Sequence, residues 1–135
     1  MSYVSSNVRR QVIERAGNRC EYCRVPQLAS LFSFEMEHIL SEKHGGLSDL
    51  DNLALACPFC NRAKGSDVGS FDRTTDRFVP FFNPRSQDWF EHFTLSGPEI
   101  VPLTAEGRVT AAILQLNQPD RLSERRHLIA TGYYP

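Results

Sequence analysis

Four cysteines occur as two spaced pairs, Cys20-Glu-Tyr-Cys23 and Cys57-Pro-Phe-Cys60, with 33 residues between them. A Cys-x-x-Cys turn aims two sulfurs at one point, and two such turns complete a tetrahedral site of the kind structural zinc requires. All four ligands come from protein, so no position stays open for a substrate. Binding deprotonates the thiols and contributes folding free energy on the order of 10 kcal/mol. Three alternatives account for less. Disulfides need an oxidising compartment, a redox Cys-x-x-Cys explains one pair and not the second, and unligated thiols leave the paired spacing unexplained.

Between the pairs lie Glu37-His38, Gly45-Gly46 and Asn52-Leu53, and Asn61 to Gly65 follow the last cysteine. A metal-assisted phosphodiesterase needs hard oxygen ligands for a divalent cation. It also needs a base that works near neutral pH, for which histidine is suited. Glu37 and Asn61 can supply the oxygens and His38 the base. Neighbours on a flat strand face opposite ways, so the expectation includes a bend or bulge near Glu37-His38.

The elements around these residues follow from pattern. Ser5-Ser6-Asn7 can cap a helix that carries Val8, Val12, Ile13 and Ala16 and stops at Gly17-Asn18. That helix delivers the chain into the first cysteine turn. A short helix is expected over 27–31 and a strand over 33–40. In the strand Phe34, Met36, His38 and Leu40 share one face and Glu35, Glu37 and Ile39 the other. A glycine-punctuated loop fills 41–50, a second strand 52–56, and a helix begins at Pro58 and ends at Gly65. Further on, 66–86 reads as an irregular wrap. A hairpin flanks Ser96-Gly97-Pro98 over 92–95 and 99–103. Helices are expected over 108–116 and 120–130.

With these elements in place, Arg19 to Cys23, Glu37-His38-Ile39, His44-Gly45-Gly46, Asp51-Asn52-Leu53 and Cys57 to Gly65 resemble the HNH endonuclease family over 8–66. The resemblance implies an α+β fold. Its core is a ββα-metal (HNH) nuclease unit braced by the four-cysteine zinc site, with a C-terminal hairpin and helix extension packed on it. One domain is expected over 1–135, with the nuclease core at 8–66 and the extension at 67–135. The implied activity is hydrolysis of DNA phosphodiesters, leaving 5′-phosphate and 3′-hydroxyl ends. His38 matches the general base, Glu37 the acidic metal ligand and Asn52 the residue that ties the loop and orients the base. Asn61 stands where the motif's last histidine usually lies. With no imidazole there, Mg²⁺ or Mn²⁺ is expected as the catalytic ion rather than Zn²⁺. The alternative is an inactive zinc-braced module that binds nucleic acid or protein.

Composition narrows the setting. Charged residues are 23% and hydrophobic residues 41%, near globular averages, which excludes global disorder. Apolar runs such as 53–57 and 78–82 are too short to span a membrane. Residues 1–10 lack the apolar core of a secretory signal, which points to the cytoplasm. With net charge −1, DNA must be gripped by a local patch. Arg19, Arg24, Lys43, Arg62 and Lys64 surround the motif as candidates, and His44 can contact phosphate. His92 and His127 lack a partner signature. Trp89 and the phenylalanines between 71 and 93 are expected to fill the core. A free nuclease is toxic, so a restraining protein partner is also expected.

Overall fold

A computed structural model describes residues 3–135. Helix α1 (Ser6–Arg15) starts where Ser5 accepts a hydrogen bond from the Val8 amide, and it buries Val12. Gly17 and Asn18 follow with φ of 64° and 58°. The Asn18 amide returns to the Ile13 carbonyl and ends the helix. The chain then enters the Cys20–Cys23 turn and a short 3-10 turn at Gln27–Ala29.

Strands β1 (Glu35–His38) and β2 (Leu53–Ala56) pair antiparallel, from Glu35 opposite Ala56 to His38 opposite Leu53. All four β2 residues are buried. Helix α2 (Pro58–Lys64) follows at once. Cys57 caps it, Pro58 opens it, and Gly65 closes it at φ 54°. This is the strand, loop, strand, helix order expected of the core.

The second half differs from expectation first in its connecting segment. The supposed wrap at 66–86 contains a hairpin, β3 (Gly69–Asp72) with β4 (Arg77–Pro80). Its inward positions carry too little apolar signal to read as strand. Asp72 is buried there, gripped by Arg108 through two hydrogen bonds of 2.9 Å. A Cβ on Gly69 would sit 2.4 Å from the Val79 carbonyl, so only glycine fits the strand pair.

After the four-residue helix α3 (Trp89–His92), strands β5 (Phe93–Ser96) and β6 (Glu99–Pro102) form the expected hairpin. Helix α4 (Ala105–Ile113) starts earlier than the apolar spacing predicts, because Thr104 caps it through the Gly107 amide. It also ends earlier, at a left-handed Gln115, which leaves Leu116 buried beyond the helix. Helix α5 (Pro119–Ala130) closes the order. No helix among the described residues is long and apolar enough to cross a membrane.

Two side chains tie the extension to the first cysteine turn. The Trp89 indole donates to the Tyr22 carbonyl at 2.9 Å, and the Tyr134 hydroxyl donates to the Cys23 carbonyl at 2.8 Å. Phe81, Phe82, Trp89 and Phe93 are buried as expected. Phe71, Phe78 and Phe90 are not, being 64%, 55% and 53% exposed. Phe71 and Phe78 instead meet edge-to-face on the outer side of the β3–β4 hairpin.

The Arg108 guanidinium holds the Asp72 carboxyl well below the usual carboxylate range, aided by Thr75 and the Thr74 amide. A depressed folded pKa contributes stability above the unfolded value, about 3.9, and the contribution is lost as pH falls toward the folded value. Thermal melts of Asp72→Asn should therefore lie furthest below the parent above about pH 5. The two melting curves should converge as pH drops below about 4.

Candidate metal centre and active cleft

The four cysteine sulfurs lie within 4.8 Å of one another, and all four residues are buried. This is the one such cluster of metal-ligating groups among the described residues. The amides of Cys23 and Cys60 point at the sulfurs of Cys20 and Cys57, at 3.5 and 3.3 Å. Burial pushes the Cys20 and Cys60 thiols well up, while hydrogen bonds from its three neighbours pull Cys23 down. Four thiolates at such proximity need a cation between them, and the closed four-sulfur set fits zinc.

Arg121 of α5 completes this centre, although no sequence signal pointed to it. Its Nη2 lies 3.0 Å from the Cys60 sulfur and 3.7 Å from that of Cys57. Its guanidinium stacks 4.3 Å from the Phe59 ring centre, and Nη1 donates to the Leu114 carbonyl. Zinc with four thiolates carries two net negative charges, and the buried guanidinium offsets one of them.

The cleft forms at the end of β1. Alternation survives through Glu37-His38, and the pairing with β2 runs on without a bulge. Glu37 turns inward and is 3% exposed, while His38 is half-buried beside the loop. The His38 Nε2 lies 2.8 Å from the Ser48 hydroxyl. Asn52 holds the loop that carries Ser48. Its Oδ1 accepts from the Leu40 amide at 2.8 Å, and its Nδ2 donates to the carbonyls of Leu40 and Leu47, both at 2.9 Å. Gly46 is required in this staple, because a Cβ there would fall 1.7 Å from the Leu40 carbonyl oxygen. A cavity of about 270 Å³ opens beside His38 and is lined also by Glu37, Lys43 and Asn61. The expected base, carboxylate and carboxamide thus border one cleft, with Asn52 behind the loop.

Glu37 is held from within. Its Oε1 pairs with the Lys64 ammonium at 2.6 Å, and its Oε2 accepts from the Tyr22 hydroxyl at 2.8 Å. Burial still raises the Glu37 carboxyl, with Lys64 and Tyr22 pulling it back. Lys64 was expected to touch DNA, and this must be corrected. The residue is 2% exposed, and its Nζ donates to the carbonyls of His38 and Ile39 at 3.1 Å as well as to Glu37.

The other candidate contacts scatter. Arg19 donates to the carbonyls of Arg24 and Tyr133. Arg24 stacks 5.4 Å from the Trp89 ring centre and 5.2 Å from that of Phe90. Both line a separate pocket of about 190 Å³ behind the cysteine turn. Arg62 is exposed on another groove, next to Phe59 and Arg121. Lys43 and His44 are exposed in the 3-10 turn Glu42–His44, and of the six only Lys43 borders the His38 cavity. His92 is buried and bonded to the Thr104 hydroxyl at 2.6 Å.

The family model described as HNH endonuclease matches residues 20–67, the stretch from the first zinc cysteine to just beyond α2. This segment is similar to the HNH domain. The chain is also 28% identical over 122 residues to Septu protein PtuB of Bacillus thuringiensis. That alignment takes in 89% of this chain and 45% of the relative, so the chain spans less than half of that protein's length. No solved structure matches. The HNH domain supports a nuclease-type function.

Gly46→Ala should destabilise the protein by on the order of 3 kcal/mol in urea unfolding, because backbone must move to admit the methyl. Stripping the metal with a strong chelator should unfold the chain by circular dichroism. Arg121→Met should release zinc at lower chelator concentration than the parent does.

Proposed function

We propose that this protein is a metal-dependent endonuclease that hydrolyses DNA phosphodiester bonds at the His38 cleft. The observation that carries the reading is the fixed imidazole. His38 sits at an open cavity with one ring nitrogen engaged by Ser48, inside the HNH-matched segment.

The chain's own part is positioning and proton transfer. Ser48 steadies the ring through Nε2, which leaves Nδ1 to take a proton from water aligned on the phosphorus. Asn52 sets the path of the loop and so the place of Ser48. Asn61 lines the same cavity, and its carboxamide oxygen would be a hard ligand there. A hard divalent cation, Mg²⁺ or Mn²⁺, would supply charge stabilisation at the phosphate when bound. Glu37, its expected carboxylate ligand, does not fit that part as it stands, because Lys64 and Tyr22 engage both oxygens. Lys43 at the cavity edge would meet a neighbouring phosphate.

A second reading draws on the same engaged Glu37. An HNH domain whose carboxylate is fully satisfied within the protein could serve as a binding module, held by its zinc centre, with nucleic acid or a protein as partner.

Supercoiled plasmid incubated with Mg²⁺, Mn²⁺ or EDTA separates the two. The nuclease reading expects metal-dependent nicking that falls by at least about 10²-fold in His38→Ala, the range for loss of a general base. Zinc content should stay unchanged. Binding of plasmid without nicking under any metal would favour the module, and equal nicking by His38→Ala would remove His38 from the chemistry.

A further inference from the structure

A cavity of about 460 Å³ opens just beyond the end of β1, and neither the cysteine centre nor the His38 cleft accounts for it. Ile39 and Leu40, which follow His38 directly, form one wall. Lys64 joins that wall to the cleft. Its Nζ holds the carbonyls of His38 and Ile39 at 3.1 Å, and the next residues, Gly65 and Ser66, line the cleft cavity. The volume falls in the range of small-ligand pockets.

The β3–β4 hairpin supplies Phe78 and Pro80 to a second wall. Phe78 is 55% exposed, yet its ring is fixed. Phe71 meets it edge-to-face with ring centres 5.5 Å apart, and a Cβ on Gly69 would stand only 3.0 Å from its Cε1. A rigid exposed ring is a platform for stacking. Asn83 and Gln87 line the same cavity. The Gln87 Oε1 accepts from the Asn83 amide and the Asn83 Oδ1 from the Arg85 amide, both at 2.8 Å. These side-chain oxygens are engaged within the turn, while the Nδ2 and Nε2 groups have no acceptor among the described residues. Glu106, in the first turn of α4, adds a carboxylate that accepts no hydrogen bond from a described residue.

These groups select one kind of occupant. A phosphate finds no free cation here, because Lys64 is paired with Glu37, and the Glu106 carboxylate repels it. An apolar side chain would cover two amides and a carboxylate and leave them unsatisfied, which is costly. A nucleobase offers a flat π-face to Phe78 and an edge that carries both acceptors and donors. We propose that this cavity receives an unpaired nucleobase of the DNA strand whose backbone lies in the His38 cleft, stacked on Phe78, with its pairing edge met by Asn83, Gln87 and Glu106. The assignment rests on the nuclease reading for the strand that delivers the base. A base inside a duplex is stacked and its pairing edge is occupied, so the cavity admits a base only from single-stranded or locally opened DNA.

The test is a fluorescence anisotropy titration of the zinc-loaded full chain without added Mg²⁺ or Mn²⁺. The probes are a short labelled single strand of mixed sequence, its perfect duplex, and a strand of equal length that lacks every base. The parent is expected to bind the base-bearing single strand at least about fivefold more tightly than the baseless one, the lower bound for one stacked base. Phe78→Leu keeps apolar bulk and removes the π-face. It should weaken the base-bearing single strand by at least about fivefold and leave the baseless strand, the duplex, zinc content and melting temperature unchanged. Phe78→Trp should hold the parent affinity or tighten it. The proposal is overturned if the parent binds both single strands equally or binds neither. It is also overturned if Phe78→Leu binds like the parent, or if it loses duplex affinity to the same extent. A dimer in sedimentation that Phe78→Leu dissociates overturns it too, because a second copy would then fill the cavity. Should Phe78→Leu not fold, the parent's comparison of the two single strands decides alone. Plasmid nicking is scored separately. A parent that nicks but ignores the bases sinks the pocket and spares the nuclease. A parent that prefers the base-bearing strand but never nicks keeps the pocket and sinks the nuclease.

Discussion

Convergence of four sulfurs is the constraint on which the remaining structure depends. It joins the turn after α1 to the start of α2, and so closes the segment that carries β1, the glycine loop and β2. A four-residue strand pair has little stability of its own. Here it is held at both ends by the metal centre, and the fully buried β2 gives it a core. The same centre organises the extension. Arg121 reaches the sulfurs from α5, Trp89 and Tyr134 bond to carbonyls of the first cysteine turn, and the aromatic cluster of Phe82, Trp89 and Phe93 fills the space between. The sulfur cluster and the docked tail therefore belong to one packed unit.

Buried charge is the second organising theme. Glu37 with Lys64, Asp72 with Arg108, and the fully buried Arg125 with the carbonyls of Pro98 and Leu116 each fix the relation between separate elements. Such groups add little net stability, because desolvation offsets much of the attraction. Their effect is directional. A single unpaired member costs several kcal/mol, so alternative packings that separate the partners are strongly disfavoured. At the cleft the same rigidity fixes the backbone. Lys64 grips the two carbonyls at and just after the end of β1, so the backbone behind His38 cannot drift.

How much of this was legible in the sequence varied with how local the signal was. The bounds of α2 were readable because Pro58 and Gly65 mark them, and the β5–β6 turn because Ser96-Gly97-Pro98 can do little else. The cysteine spacing carried the metal centre outright. Strands β3 and β4 were hidden because Asp72 takes an inward place that apolar residues usually fill. Lys64 looked like a surface cation, since lysine is almost never fully buried, and only its three-dimensional partners reveal otherwise. Ser48 and Arg121 had no pattern to betray them: Ser48 meets His38 only through the fold of the loop, and Arg121 reaches a cysteine 61 positions back. Phe71 and Phe78 show the opposite failure, apolar residues that composition assigns to the core and the hairpin turns outward.

The Asn52 staple has one more consequence, for how the protein ages. One carboxamide serves three backbone groups, two of them by donation from the same nitrogen. Spontaneous deamidation would replace that nitrogen with a carboxylate oxygen facing the carbonyls of Leu40 and Leu47. Two attractions would become repulsions, and the loop bearing Ser48 would come loose while the cysteine centre stayed intact. A stored sample could thus keep its fold and its zinc and yet lose the alignment of its imidazole, one side-chain hydrolysis at a time.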